Sequence, residues 1–167
     1  MARTGYTLAK WNTAATGTGT DYALSGSMTV PAAAVTLYAI WTPINYTITY
    51  NANNSTSGSA PSDSTNYNIG QNITVKANTG SLVRTGYTFA GWNTLADGTG
   101  TNYSSGNQIT MVSASITVYA KWTANTYTIS YNVNGASGTA ARGGSSVTSD
   151  SYTTGSSTVT LPSVGDR

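Results

Sequence analysis

The chain repeats itself at a spacing of 81 residues, so its fold must be buildable from a unit of about that size. Residues 3–13 read RTGYTLAKWNT and residues 84–94 read RTGYTFAGWNT. Residues 35–51 read VTLYAIWTPINYTITYN and residues 116–132 read ITVYAKWTANTYTISYN. Between Arg3–Asn53 and Arg84–Asn134, 28 of 51 positions are identical without a gap, which puts the repeat beyond chance. Substitutions keep apolar positions apolar: Leu8 becomes Phe89, Met28 becomes Ile109, and Val35 and Leu37 become Ile116 and Val118. A weaker likeness, with a small length difference, links NYNIGQNITV from Asn66 to SYTTGSSTVTL from Ser151.

Alternation at period 2 predicts strands inside each copy. Val35, Leu37, Ala39 and Trp41 share one face, with Thr36, Tyr38 and Ile40 opposite. In the second copy Ile116, Val118, Ala120 and Trp122 oppose Thr117, Tyr119 and Lys121, and the lysine marks the second face as solvated. Tyr46, Ile48 and Tyr50 alternate with Thr47 and Thr49, and Tyr127, Ile129 and Tyr131 repeat the pattern. Gly91 within a strand pattern predicts a bulge or a close backbone approach. The runs 96–100 and 16–19 read as glycine-containing hairpin loops, and 53–61 and 134–144 as longer polar loops. A short helix within 55–68 is the one helical candidate, with little periodicity behind it.

Composition removes most chemistry. There is no Cys, no His and no Glu, so disulfides, thiol or imidazole catalysis and zinc sites are excluded. Five scattered Asp residues leave little for paired-carboxylate catalysis. Charged residues are 7% of the chain, against roughly 25% in ordinary soluble domains. The lysines Lys10, Lys76 and Lys121 are far apart in sequence, so no nucleic-acid footprint is expected despite the net charge of +2. Leu, Ile, Val and Phe make up only about 15%, so Tyr and Trp must supply the missing core. No apolar run approaches the ~18 residues of a membrane span, and no signal-peptide core follows Met1. The sequence therefore reads as a mature form, a fragment or an expressed segment, with no membrane insertion expected.

The string GYTFAGWNTLADGTGTNY, followed by ITVYAKW and TYTISYN, resembles the Listeria–Bacteroides repeat, a bacterial surface module related to the internalin B-repeats. Its Gly-Tyr-Thr-Phe-x-Gly-Trp core stands at Gly86–Trp92; the copy at Gly5–Trp11 departs from it at Leu8 and Lys10. The closing Leu/Val-Tyr-Ala-x-Trp signature stands at Leu37–Trp41 and Val118–Trp122. The resemblance implies a mostly β chain of tandem small antiparallel modules of β-grasp-like type, without catalytic residues or cofactors. In the family's phase, residues 1–43 are the C-terminal half of a repeat, 44–124 one complete repeat and 125–167 the N-terminal half of another. The two end pieces would complete each other within a chain, between chains, or through neighbouring repeats of a longer array.

Candidate sites follow from this frame. Asp97 and Asn102 flank a Gly-rich loop and are weak candidate Ca²⁺ ligands; the copy carries Thr16 and Asp21 instead. Tyr38 and Tyr119, on the more polar strand face, are candidate contacts for a glycan. Trp11, Trp41, Trp92 and Trp122 are expected in the core, as are Tyr46, Tyr50, Tyr127 and Tyr131. An internal isopeptide bond is disfavoured, since Lys10 becomes Gly91 and Ile40 becomes Lys121. Leu161–Gly165 lacks the Thr and the following apolar tail of a sorting signal. Asn-x-Ser/Thr sequons at Asn45, Asn53, Asn54, Asn72 and Asn102 leave glycosylation open.

Functionally the sequence reads as a non-catalytic bacterial surface or extracellular module, acting as a spacer or adhesin segment. The alternative is a filament subunit joined head to tail through its half-repeats; a carbohydrate-binding module is a weaker one. Expected partners are neighbouring copies or adjacent repeats, and a host or surface glycan or protein.

Overall fold

The computed structural model describes residues 1–134, 140–142, 145–156 and 158–164. The chain divides into two compact units. The first comprises Met1–Tyr50, Ser62–Lys76 and Ser105–Thr117, and the second Asn51–Pro61, Ala77–Ser104 and Val118–Arg167. Each is therefore assembled from segments that are distant in sequence.

In the first unit β1 (Tyr6–Asn12) lies between β2 (Asp21–Tyr22) and β3 (Tyr38–Pro43), all antiparallel. Leu8 pairs with Trp41 and Trp11 with Ala39, with a register slip between Leu8 and Lys10. The unit also holds β4 (Ile48–Asn51), most of whose residues belong to it. A separate ribbon pairs β5 (Asn72–Thr74) with β8 (Gln108–Thr110), with Ile73 opposite Ile109.

The second unit repeats the hairpin. Here β6 (Tyr87–Asn93) lies between β7 (Asn102–Tyr103) and β9 (Ile116–Ala124). Phe89 pairs with Trp122 and Trp92 with Ala120, and the register slips between Phe89 and Trp92. Gly91 sits in that slip at φ 111°, where a Cβ would come within 2.8 Å of the Tyr103 carbonyl oxygen. The bulge expected at Gly91 is therefore present, and a side chain there would collide with backbone. Further along, β10 (Thr126–Ser130) pairs with β13 (Ser149–Thr153). Beside them β11 (Ala140–Arg142) lies between β12 (Ser145–Ser146) and β14 (Ser163–Val164).

The mostly β expectation holds. Among the described residues there is no helix, so 55–68 forms none. The finer β-grasp assignment has no helix to rest on. Polar Asx turns and extended chain, with Thr65 N–H donating to Asp63 Oδ1 at 3.0 Å, occupy the segment instead.

Among the described residues every fully buried apolar side chain falls between Ile48 and Ala120. Ile48, Tyr50, Ile73, Val75, Ile109 and Met111 belong to the first unit; Leu82, Trp92, Val118 and Ala120 belong to the second.

Candidate functional site

The hairpin loop of each copy is organised by one buried asparagine, the residue after the repeated Trp. Asn93 Nδ2 donates to the carbonyl oxygens of Gly98 (3.1 Å) and Gly100 (3.0 Å) and to Asn102 Oδ1 (2.7 Å). Its Oδ1 accepts from the Leu95 and Gly100 amides at 2.8 and 3.1 Å. Asn12 makes the same five bonds: to Gly17 O, Gly19 O and Asp21 Oδ1, and from Ala14 and Gly19 N–H. A side-chain amide has two donors and one two-lone-pair acceptor, and here all are used. The Trp-Asn-Thr identity in both copies, followed by Gly-x-Gly, is the signal for this hub, whereas the sequence alone reads as a Gly-rich turn with weak candidate Ca²⁺ ligands.

Of the two candidate Ca²⁺ ligands, Asn102 is bonded to that hub and Asp97 to Thr99 beside it. Asp97 Oδ1 accepts the backbone N–H and hydroxyl of Thr99, at 3.0 and 2.8 Å, and these bonds hold its carboxyl below the ordinary range. Asn102 Oδ1 accepts from both Asn93 and Lys121 Nζ, the latter at 2.8 Å. In the first copy Lys10 Nζ reaches Asp21 Oδ2 at 2.6 Å, and the Lys10 and Asn12 hydrogen bonds lower the Asp21 carboxyl. A lysine thus serves the same loop position from β9 in one copy and from β1 in the other. Among the described residues no cluster of three metal-ligating side chains occurs.

The expected core aromatics separate by position. Trp92 is 1% exposed and meets Phe89 edge-on at 5.3 Å, and Phe89 meets Trp122 at 5.7 Å. Trp122 is half-buried and donates its indole N–H to the Asn53 carbonyl oxygen at 2.8 Å. Trp11, Trp41, Tyr46 and Tyr131 are half-buried, and Tyr50 is buried with its hydroxyl accepting the Lys76 amide. Tyr127 departs from the expectation. It is 42% exposed, because its ring lies along that of Tyr152 at 5.5 Å on an open two-stranded ribbon. Tyr38 is exposed and Tyr119 half-buried, each opposite the hub asparagine of its own copy, Asn12 and Asn93. They belong to different units.

The stretch around the end of the closing Trp strand is also built twice. Arg3-Thr4-Gly5-Tyr6 and Arg84-Thr85-Gly86-Tyr87 are tight turns closed by Tyr6 N to Arg3 O and Tyr87 N to Arg84 O. Gly5 and Gly86 stand at φ 78° and 79°, as the third position of a type II turn requires. Each arginine lies over the ring of its tyrosine, 3.9 and 4.0 Å from the centroid. The glycine carbonyl then accepts from the chain just past the Trp strand: Ile44 N to Gly5 O at 2.8 Å, and Asn125 N to Gly86 O at 2.9 Å. A later loop closes over the glycine. A Cβ on Gly5 would meet Ile69 Cδ1 at 2.7 Å, and one on Gly86 would meet Thr154 Cγ2 at 2.6 Å. Tyr46 exchanges backbone bonds with Tyr67, just as Tyr127 pairs with Tyr152.

Comparison with known proteins fits this description. Residues 1–40 and 46–121 match the Listeria-Bacteroides repeat domain. A protein of Evansella cellulosilytica, provisionally named a Gly-rich membrane protein, is 37% identical over 142 residues, covering 82% of this chain. A second from the same organism, provisionally named a membrane protein, is 41% identical over 91 residues, or 54% of the chain. The chain spans 16% and 13% of the length of these two relatives. No solved structure matches it. Among the described residues no helix is long and apolar enough to cross a membrane. The chain belongs to the Listeria–Bacteroides repeat family, whose modules are typically surface-associated and generally non-catalytic.

Proposed function

We propose that this chain is a structural segment of a bacterial cell-surface repeat array, acting outside the cell as a spacer or adhesin stalk. The observation that carries this reading is the direct junction between repeats. The closing strand of one repeat passes into the next without a linker, and Gly5–Ile44 and Gly86–Asn125 bonds staple the passage. A connection of this kind orders successive modules at little entropic cost, because few residues are free to move at the joint. The uncharged Thr- and Ser-rich surface and the absence of Cys, His and Glu suit a passive role in an exposed setting. The experiment is antibody labelling of whole bacteria that express the protein. Labelling of intact cells supports the reading; labelling only after permeabilisation overturns it.

A further inference from the structure

A pull along a chain is resisted best where two extended segments run in the same sense and are loaded from opposite ends. The bonds joining them then stretch together, whereas bonds loaded from one end break one after another. Two such segments stand in the middle of this chain. One runs from Thr47 through β4 to Asn53, and the other from Ser115 through β9 to Trp122. Near their starts, within the first unit, the Ile116 N–H donates to the Thr47 carbonyl oxygen at 2.9 Å and the Thr47 N–H to Ser115 Oγ at 3.0 Å. Near their ends, within the second unit, the Asn53 side-chain amide donates to the carbonyl oxygens of Ala120 (2.9 Å) and Ala96 (2.7 Å). The Asn53 carbonyl accepts the Trp122 indole N–H at 2.8 Å. Both segments therefore pass from the first set of bonds to the second in the same sense.

The stretch between the two sets is built to hold. Ile48 and Tyr50 on one segment and Val118 and Ala120 on the other are buried, so water has little access from which to replace a bond under strain. Asn53 stands at φ 47°, and its N–H is tied to Asn51 Oδ1 at 2.8 Å, so its amide is aimed before any load arrives. None of the bonded groups is ionised. Their strength is therefore insensitive to salt, which suits an exposed setting.

We infer that these two segments form a clamp that carries tension along the chain. A pull entering ahead of Thr47 and leaving past Trp122 reaches one segment beside the first set of bonds and the other segment beside the second. Both sets are then sheared at once. The usefulness of such a clamp rests on the stalk reading, but its test does not, because the force is read on the purified chain wherever the protein is displayed.

The test is single-molecule pulling on the whole chain, which has no Cys of its own, so an introduced pair defines the two attachment points. Asn45→Cys with Thr126→Cys loads the segments from opposite ends, and Asn45→Cys with Ser113→Cys loads both from the same end; all three positions are exposed. The first pair is expected to rupture at a force higher by roughly twofold or more, since two sets of bonds of similar worth share the load. That rupture is expected to release up to about 290 Å of chain. Asn53→Gly keeps the positive φ and removes the amide. It is expected to lower the rupture force of the first pair and to leave that of the second pair unchanged, because there the Thr47 bonds fail before Asn53 is loaded. Equal forces for the two pairs, or an Asn53→Gly chain as strong as its parent in the first, overturn the clamp. An unchanged near-ultraviolet signal from buried Trp92 confirms that each variant is folded before it is pulled.

Discussion

The Asn93 side-chain amide donates to Asn102 Oδ1 at 2.7 Å, tying the end of β6 to β7 across the loop that carries Gly98 and Gly100. Asn93 is fully buried, and four of its five partners are backbone groups of the loop. Removing the amide leaves those groups in a site shaped for it, where an unsatisfied polar group is costly. Asn93→Ala is therefore expected to destabilise the second unit by about 3 kcal/mol, measured by urea unfolding. Asn93→Asp, which keeps the acceptor and loses the donors, is expected to recover only part of that loss.

Gly91 supports a second expectation. Its φ of 111° is strained for any L side chain, and a Cβ would sit 2.8 Å from the Tyr103 carbonyl oxygen. Gly91→Ala is expected to cost about 2 kcal/mol in the same unfolding measurement. The corresponding Lys10→Ala in the first copy is expected to cost much less, because the slip there is built without a positive φ at position 10.

The Asp63 carboxyl gives a pH dependence. Burial pushes it up, but hydrogen bonds from the Thr65 amide and hydroxyl and the Tyr67 hydroxyl, with the nearby Lys76 charge, outweigh burial and hold it below its ordinary value. A folded value below the unfolded one, about 3.9, means the stabilisation is fully present above that pH. It is lost as pH falls through the lower folded value. Thermal midpoints are expected to drop as the buffer is taken from neutral into that acid range. Asp63→Asn is expected to flatten part of the drop while lowering the midpoint at neutral pH.

How much of this was legible in the sequence depends on what kind of information each feature needs. Strands and their faces follow from alternation, which is local, and Gly91 announced its bulge because only glycine tolerates that backbone. The Asn12 and Asn93 hubs were overlooked because asparagine in a Gly-rich loop is ordinary turn chemistry; only repetition at Trp-Asn-Thr singled them out. Tyr127 shares its local pattern with Tyr46, so its exposure was beyond a reading of alternation. Burial there depends on what covers the strand, which is a tertiary property.

The junction makes the last prediction. Gly86 occupies φ 79°, its carbonyl oxygen accepts the Asn125 amide, and Thr154 closes over it. Asn125 in turn gives its own carbonyl to the Thr154 amide at 2.9 Å, so one glycine holds both ends of the following portion of chain. Gly86→Ala adds a methyl 2.6 Å from Thr154 Cγ2 and 2.8 Å from its Oγ1, on top of the backbone penalty. A backbone retreat of Thr154 would open β10 from β13, since Thr153 pairs with Thr126 next to it. Hydrogen exchange is expected to quicken at the Asn125 and Thr154 amides by roughly tenfold or more, corresponding to a local loss of about 2 kcal/mol. Exchange at the Met111 and Val75 amides, bonded to Gln71 and Asn107 within the β5–β8 ribbon, is expected to stay as it was. Uniform acceleration across both sets would show that Gly86 supports the whole chain rather than the junction.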